Sequence, residues 1–272
     1  MAKQYIIKAN GRKVPFDKNK VIGTCVRVGT NPDRAAKIAK KIRTNLHSGS
    51  TTLDVYNMVL KELAFEENGV SLKHRYRLKE SLMLLGPAGY YFESFISKIL
   101  QNYDYDVQGT GILVQGNCVR HEIDIVAKSP EYNLMLIECK YHNFRGFFTK
   151  LKESLYTHAR YMDLEDSFDG EMLVTNTKIS DDAKKYANCI GQKLLAWKYP
   201  QDNGLERMIQ DRGLFPITML RLKSWELSNF SKNGIMLIQD LLDVDLQKIS
   251  KKTKISFQRL QRLQSLTRQI LS

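Results

Sequence analysis

The sequence carries near its centre the apolar run Leu134-Met135-Leu136-Ile137, followed directly by Glu138-Cys139-Lys140. A second apolar run, Ile123-Asp124-Ile125-Val126, lies upstream and contains one aspartate. Both runs have the length and composition of buried strands. A charged side chain inside a buried strand is costly unless it is paired or binds a metal ion. Two acids and a lysine on such strands therefore predict a metal site.

The spacing of these residues indicates which of them share a face. Glu138 and Lys140 are two residues apart, so their side chains leave the same side of a strand, whereas Cys139 points to the opposite side. Asp124 and Glu138 are the predicted ligands of one Mg²⁺ ion, with the backbone carbonyl of Cys139 as a further ligand. Lys140 would lie beside the ion and stabilise developing negative charge. The alternative is a buried ion-pair cluster without a catalytic role.

The composition is that of a protein with a substantial core and no membrane span. The chain has 272 residues, of which 43% are hydrophobic, and this length allows two or three domains. No apolar run reaches the roughly 18 residues that a span requires. The start, Met1-Ala2-Lys3-Gln4-Tyr5, lacks the apolar region of a signal peptide. We therefore expect a cytoplasmic protein.

The four cysteines do not form a zinc motif. None of them is paired at C-x-x-C spacing, and we expect buried free thiols. They are Cys25, Cys118, Cys139 and Cys189.

The net charge of +13 is unevenly distributed along the chain. Residues 1–86 contain 17 Lys and Arg against 7 Asp and Glu, and residues 201–272 contain 12 against 7. Residues 87–200 contain 13 against 15. Basic flanks suit a polyanion such as DNA, and an acidic centre suits cations. Solvated basic helix faces are the alternative explanation.

Turn signals and hydrophobic periodicity predict three domains. Residues 1–86 read as a β-hairpin with an Asn10-Gly11 turn, followed by four helices, the last over about 71–84. Residues 87–200, preceded by the break at Gly86, read as an α/β domain whose central mixed β-sheet is flanked by helices. Its predicted elements include strands near 105–108 and 112–116 and a helix over 147–164. Residues 201–272 read as helical, with a predicted helix over Met236–Leu242. The short helices around Asn233-Gly234 and Ser256 resemble a helix-hairpin-helix DNA-contacting module. We detect no internal repeat in the sequence.

The central segment resembles the Mrr-type branch of the PD-(D/E)xK nuclease superfamily. The resemblance covers roughly 87–200 and rests on Phe92-Glu93, the Asp124 strand, Glu138-Cys139-Lys140 and Val174-Thr175-Asn176. It implies a restriction-endonuclease-like fold and a magnesium-dependent DNA endonuclease, which is a hydrolase. It also implies that Asp124, Glu138 and Lys140 are catalytic and that Glu93 is an auxiliary acid near the metal.

Two further residues flank the predicted site. His121 and Glu122 directly precede the Asp124 strand. A histidine in this position is more often a packing or surface residue than a catalytic base, and we expect that role for His121.

The N-terminal segment resembles the ATP-cone domain. Residues 6–20 match its pattern of an Ile-x-Lys strand, an Asn-Gly turn and a Phe-Asp-x-x-Lys helix start. The resemblance implies that Lys8 and Lys20 bind ATP or dATP as a regulator. Because the chain lacks a Gly-x-x-x-x-Gly-Lys-Ser/Thr loop, we do not expect an ATP-driven motor. A basic module that holds DNA is the alternative.

Together these features predict a nucleotide-regulated DNA endonuclease. Cleavage of both strands of a duplex needs two active sites, so we expect a homodimer. One alternative is a nucleotide-sensing DNA-binding regulator with a vestigial nuclease core. The other is a structure-selective nuclease that acts on DNA junctions.

Overall fold

The structure is a computed structural model that describes residues 4–86, 89–144 and 146–272. The predicted domain start at Pro87 and Ala88 lies outside the described residues, as do Met1, Ala2 and Lys3. The chain divides into two compact units. One runs up to Leu78 and includes Arg268–Ser272, and the other spans Lys79–Thr267. The predicted boundary at residue 200 falls inside the second unit.

The first unit is a β-hairpin followed by helices. Ile6 pairs with Val14 in the antiparallel hairpin, and Gly11 adopts the positive φ of 78° that its turn requires. The side chains of Asp17, Asn31 and Thr51 accept hydrogen bonds at three helix starts. The elements are β1 (Tyr5–Ile7), β2 (Lys13–Pro15), α1 (Lys18–Arg27), α2 (Pro32–Thr44), α3 (Thr52–Leu63) and α4 (Gly69–Tyr76).

The core of this unit follows the predicted apolar periodicity. Its centre consists of fully buried aliphatic and cysteine side chains from α1, α2 and α3. The predicted fourth helix over 71–84 was wrong in its extent, because α4 ends at Tyr76 and a separate short helix, α5 (Leu78–Leu82), follows it.

The second unit is built on a five-stranded mixed sheet with helices packed against it, which confirms the predicted α/β class. The strands are β3 (Asp106–Gln115), β4 (Arg120–Lys128), β5 (Met135–Lys140), β7 (Gly170–Thr175) and β9 (Lys193–Leu195). Their order in the sheet is β3-β4-β5-β7-β9. The β3–β4 and β4–β5 pairs are antiparallel, and the β5–β7 and β7–β9 pairs are parallel. The helices of this part are α6 (Gly89–Gln101), α7 (Leu151–Asp163) and α8 (Asp181–Ile190).

Burial explains why β5 and β7 lie at the centre of the sheet. Met135, Leu136 and Ile137 are almost completely buried, and every residue of β7 is buried. Strands covered on both faces are typical of the parallel part of a sheet.

Two sequence-based boundaries in this region were wrong. The predicted strands 105–108 and 112–116 form the single strand β3, whose register shifts between Val107 and Gly109. The helix predicted from residue 147 begins at Leu151, because residues 148–149 pair as a strand instead. These strands are β6 (Phe148–Thr149) and β8 (Lys178–Ile179), which form a small parallel sheet.

The segment after residue 200 is helical, and it contains a structural repeat that the sequence analysis did not detect. Residues 213–220 and 234–241 each run from a glycine with positive φ through an extended stretch into a 3₁₀ turn. The two stretches pair with each other, since Ile217 N donates to Met236 O and Ile238 N donates to Phe215 O, at 2.8 and 2.9 Å. The helices are α9 (Leu205–Asp211), α10 (Ser224–Lys232), α11 (Leu246–Thr253) and α12 (Phe257–Leu271), with 3₁₀ turns at Ile217–Leu220 and Gln239–Leu241.

This segment also corrects two helix predictions. The predicted helix over Met236–Leu242 is only the short 3₁₀ turn, and α10 was missed. Lys254, directly after α11, adopts the left-handed conformation, and Ser256 Oγ accepts from Arg259 N at 3.3 Å at the start of α12. The resemblance of this part to a helix-hairpin-helix module stays a prediction.

All four cysteines are free thiols. Cys25 and Cys139 are buried as expected, but Cys118 and Cys189 are exposed, so the expectation of burial was wrong for these two. None of the helices in the part of the chain that the structure describes is long and apolar enough to span a membrane.

Candidate acidic site at the end of strands β4 and β5

The site begins where β4 and β5 separate. The two strands pair through Ala127–Met135, Val126–Leu136 and Ile125–Ile137. The backbone pairing of the two strands stops at Ile125. The next hydrogen bond between them involves a side chain, because Asp124 Oδ2 accepts from Cys139 N at 2.7 Å. The carboxylate is therefore held between the strands by the backbone of the neighbouring strand.

Two glutamates join Asp124 at this point. Glu138 lies on β5 and Glu93 lies on α6, and both side chains are partly buried. Burial, together with the charges of Asp124, Glu122 and Glu138, raises the pKa of Glu93 to about 7. Burial and the Asp124 charge raise the pKa of Glu138 to about 7 as well, although Arg160 and Lys140 oppose this shift. Both glutamates therefore hold a proton more readily than exposed carboxyl groups do, mainly because they are desolvated.

Asp124 and Lys140 complete the predicted set. Burial raises the pKa of Asp124, although the Cys139 N–H bond and the charges of Arg160 and Lys140 oppose this shift. Lys140 is exposed at the end of β5, and its charge lowers the pKa of both Asp124 and Glu138. The structure thus brings together Glu93, Asp124, Glu138 and Lys140.

The sequence analysis missed Arg160, which lies on α7. Arg160 Nη1 forms an ion pair with Glu138 Oε2 and also donates to the Glu122 carbonyl at 3.0 Å. Its Nη2 donates to Tyr156 Oη at 2.7 Å, one helical turn away. A glutamate that is mostly buried needs a cationic neighbour. The sequence signal for that neighbour was the Tyr-x-x-x-Arg pair on a helix that packs on the sheet.

The oxygen-rich donor set suits a hard divalent cation. Mg²⁺ binds through one or two carboxylates and keeps several waters, so Asp124 and Glu138 have the chemistry to hold it. However, within residues 4–86, 89–144 and 146–272, no group of three or more His, Cys, Asp or Glu side chains is arranged to hold a metal ion. In this state Arg160 supplies the positive charge at Glu138.

Cys139 contributes to the site through its backbone. Its thiol is buried, and burial together with the nearby carboxylates raises the pKa of the thiol well above its ordinary value. A thiol held in the neutral form is a poor ligand for a hard cation. The predicted role of its carbonyl oxygen as a ligand stays a prediction.

His121 has a structural role, as expected. Its Nε2 lies 2.7 Å from Asp163 Oδ2, at the end of α7. Asp163 also accepts from the backbone N–H groups of Cys118 and Val119, at 2.6 and 3.2 Å. Hydrogen bonds with the side chains of Cys118 and His121, and then those with the backbone N–H groups, hold the pKa of Asp163 below its usual value. The same contacts attach the β3–β4 turn to α7. Glu122 is exposed, and its charge acts on Glu93.

The predicted nucleotide-binding lysines belong to the first unit. Lys8 is exposed directly after β1. Lys20 is exposed on α1, with its Nζ 3.8 Å from Asp17 Oδ2. Both side chains are therefore accessible to an anionic ligand, while the acidic site belongs to the second unit.

Comparisons with known proteins match a segment near each end of the chain to a protein family. Residues 4–80 match the ATP cone domain family, and residues 215–271 match the family described as AF1548-like, C-terminal. An uncharacterized protein of Archaeoglobus fulgidus is 39% identical over 155 residues, which cover 57% of this chain and 87% of that protein. A crystal structure titled as a protein of unknown function, AF1548, is 33% identical, has a TM-score of 0.62, and is matched over 68% of this chain and 98% of its own.

The raised pKa of Glu93 predicts that a neutral amide in its place stabilises the protein at alkaline pH. The folded protein holds this proton more tightly than the unfolded chain, so the stability of the wild type falls as pH rises from about 4.5 to 7. Glu93→Gln should raise the free energy of unfolding by about 1 kcal/mol at pH 8 and leave it nearly unchanged at pH 5. Urea denaturation at both pH values measures this difference, with exposed Glu67→Gln as the control. Equal effects at the two pH values would show that Glu93 does not carry the shifted pKa.

The Arg160–Glu138 ion pair predicts a coupling that depends on pH. Arg160→Gln leaves a half-buried carboxylate without its cation and should destabilise the protein by about 2–4 kcal/mol at pH 8. At pH 5, Glu138 is largely protonated because its pKa is about 7, and the loss should be smaller. A double-mutant cycle with Glu138→Gln, analysed by urea denaturation, isolates the pair. A coupling energy near zero at pH 8 would contradict this assignment.

Proposed function

The chain belongs to the AF1548-like family and contains an ATP-cone domain over residues 4–80, and from its acidic site we propose that it is a magnesium-dependent DNA endonuclease regulated by nucleotide. The observation that carries the proposal is the convergence of Glu93, Asp124 and Glu138 beside Lys140, where partial burial raises the pKa of each carboxyl group. The sequence resemblance to Mrr-type enzymes with a restriction-endonuclease-like fold supports the same reaction.

Each residue has a defined task in this proposal. Asp124 and Glu138 bind the cation, and the Cys139 amide orients Asp124 toward it. A bound Mg²⁺ ion would polarise the phosphodiester and lower the pKa of a water molecule. The Lys140 ammonium stabilises the negative charge that develops on the phosphoryl oxygens. Glu93, with its pKa raised to about 7, accepts or donates a proton near neutral pH.

Positively charged surfaces support DNA as the substrate. The chain carries a net charge of +13. The α11–α12 hairpin exposes Lys251, Lys252, Lys254 and Arg262, which suit contacts to phosphate oxygens. We propose that the working form is a homodimer, because cleavage of both strands needs two sites.

The Arg160–Glu138 ion pair favours one alternative, a nucleotide-sensing DNA-binding regulator whose nuclease core is vestigial. In that protein the guanidinium would hold Glu138 permanently, and no cation would bind. The regulator should bind DNA equally well with and without Mg²⁺ and should cut none of it, whereas the nuclease should cut only with Mg²⁺.

Substitution of Asp124 tests the proposal directly. Asp124→Asn should reduce Mg²⁺-dependent nicking of supercoiled plasmid at least about a hundredfold and leave DNA affinity in EDTA within about twofold. Asp106→Asn is the matched control, since Asp106 is exposed on β3 and pairs with Lys128 at the far end of β4. Gel electrophoresis measures nicking on methylated and unmethylated plasmid, with and without ATP. If wild type and Asp124→Asn cut alike, Asp124 does not act at the site, and if neither cuts under any condition, the regulator is favoured.

The ATP-cone domain predicts that paired lysine substitutions weaken nucleotide binding. Lys8→Ala combined with Lys20→Ala removes two exposed cations and should weaken the affinity for ATP or dATP at least about tenfold. Isothermal titration calorimetry measures the affinity. The control is Lys37→Ala with Lys40→Ala, which removes the same charge from exposed positions on α2. An equal loss in both double variants would attribute binding to net charge and reject Lys8 and Lys20 as the site.

A further inference from the structure

Exposed aromatic side chains cluster in the segment that follows the acidic site. Phe144, Phe147 and Phe148 come shortly after Lys140, and 70%, 57% and 44% of their respective surfaces are exposed. The rings of Phe144 and Phe147 lie 6.1 Å apart, and Phe147 is nearly parallel to the ring of His142 at 6.2 Å. Single exposed apolar residues are common, but three within five positions form a patch that needs an explanation. We call these three residues the aromatic cluster.

Polar contacts fix the chain on both sides of the cluster. Asn176 Oδ1 accepts from His142 N at 2.9 Å, and its Nδ2 donates to His142 O at 3.0 Å. His142 Nε2 lies 2.9 Å from Thr149 Oγ1, and Thr149 pairs with Ile179 in the small β6–β8 sheet. Hydrogen bonds therefore hold the backbone at His142 and Thr149, on either side of the described rings.

Lys178 provides a cation next to one of these rings. It is the strand partner of Phe148, and its Nζ lies 5.6 Å from the centre of the ring. Two further lysines are close in sequence, since Lys140 precedes the cluster at the end of β5 and Lys150 follows it, and all three lysines are exposed. Lys140 also belongs to the acidic site, where its charge acts on Asp124 and Glu138. Flat rings with neighbouring ammonium groups match the two parts of a nucleotide, since bases stack on aromatic faces and phosphates attract lysines.

We propose that the aromatic cluster stacks on unpaired nucleobases, so that the acidic site takes DNA with a single-stranded segment next to the bond that is cut. The bases of a duplex are stacked on each other, and only unpaired bases offer their faces to Phe144 and Phe147. This inference rests on the proposed function for its link to cleavage. The stacking step itself needs neither the metal ion nor the reaction.

The test compares DNA affinities of full-length variants in EDTA, where no cleavage occurs. The double variant Phe144→Ala, Phe147→Ala should bind a 30-nucleotide oligo(dT) about tenfold more weakly than the wild type, measured by fluorescence anisotropy. Its affinity for a blunt 30-base-pair duplex should change less than about twofold. Phe65→Ala is the matched control, because Phe65 is 73% exposed in the first unit, and it should change neither affinity.

A second readout reports stacking itself. An oligo(dT) that contains one 2-aminopurine should lose fluorescence on binding the wild type and should lose much less with the double variant. Phe147→Trp should retain the affinity for oligo(dT), because tryptophan also offers a flat ring. Circular dichroism melting identifies any variant that fails to fold, and the single variants Phe144→Ala and Phe147→Ala then replace the double variant in the same comparison.

The outcomes separate this inference from the proposed function. An equal loss for oligo(dT) and duplex, or no loss for either, overturns the stacking proposal. An unchanged DNA affinity with a shift from dimer to monomer in sedimentation velocity assigns the cluster to an interface between copies and also overturns it. If the double variant loses oligo(dT) affinity while plasmid nicking by the wild type does not depend on Asp124, stacking stands and the nuclease proposal fails.

Discussion

The hydrogen bond from Cys139 N to Asp124 Oδ2 is the constraint on which the acidic site depends. It replaces the next rung of the β4–β5 ladder with a side chain, so that the strands separate while the carboxylate stays between them. A buried carboxylate tolerates this position because a backbone N–H partly compensates for its desolvation. Without that bond, the Asp124 carboxylate would be equally buried but would have one hydrogen-bond donor fewer.

The separation of the strands determines where the other charges can lie. Glu138 follows the last paired residue of β5, Ile137, and its carboxylate meets Arg160 from α7. Glu93 reaches the same point from α6, and the pKa of each glutamate rises to about 7. The protonation of both glutamates therefore changes near neutral pH.

The sequence predicted the parts of the structure that depend on local patterns. The buried strands with Asp124 and Glu138, the α/β class and the ATP-cone domain followed from hydrophobic runs and short motifs. Arg160 was not located in this way, because the Tyr-x-x-x-Arg pair does not show which side chain the guanidinium contacts. Its contact with Glu138 joins residues 22 positions apart and depends on how α7 packs on the sheet. The repeat after residue 212 was missed for a related reason, since its two copies share backbone conformation and few identical residues.

The errors at element boundaries also have physical causes. Residues 148–149 precede a good helical pattern, yet they pair with β8, a partner that is distant in sequence. Strand β3 continues through Gly109 and Gly111, although glycines often end a strand. The register shift between Val107 and Gly109 and the positive φ of 62° at Gly111 accommodate these glycines within the strand. In both places tertiary contacts outweigh local preference.

The central claim is that Asp124 and Glu138 bind a divalent cation together, in competition with Arg160. Anomalous diffraction from crystals soaked in Mn²⁺, used as a stand-in for Mg²⁺, tests this claim most directly. The account predicts a peak about 2.0–2.3 Å from an oxygen of each carboxylate, with Glu138 released from the guanidinium. A crystal in which Mn²⁺ binds elsewhere while Glu138 stays paired with Arg160 would contradict it.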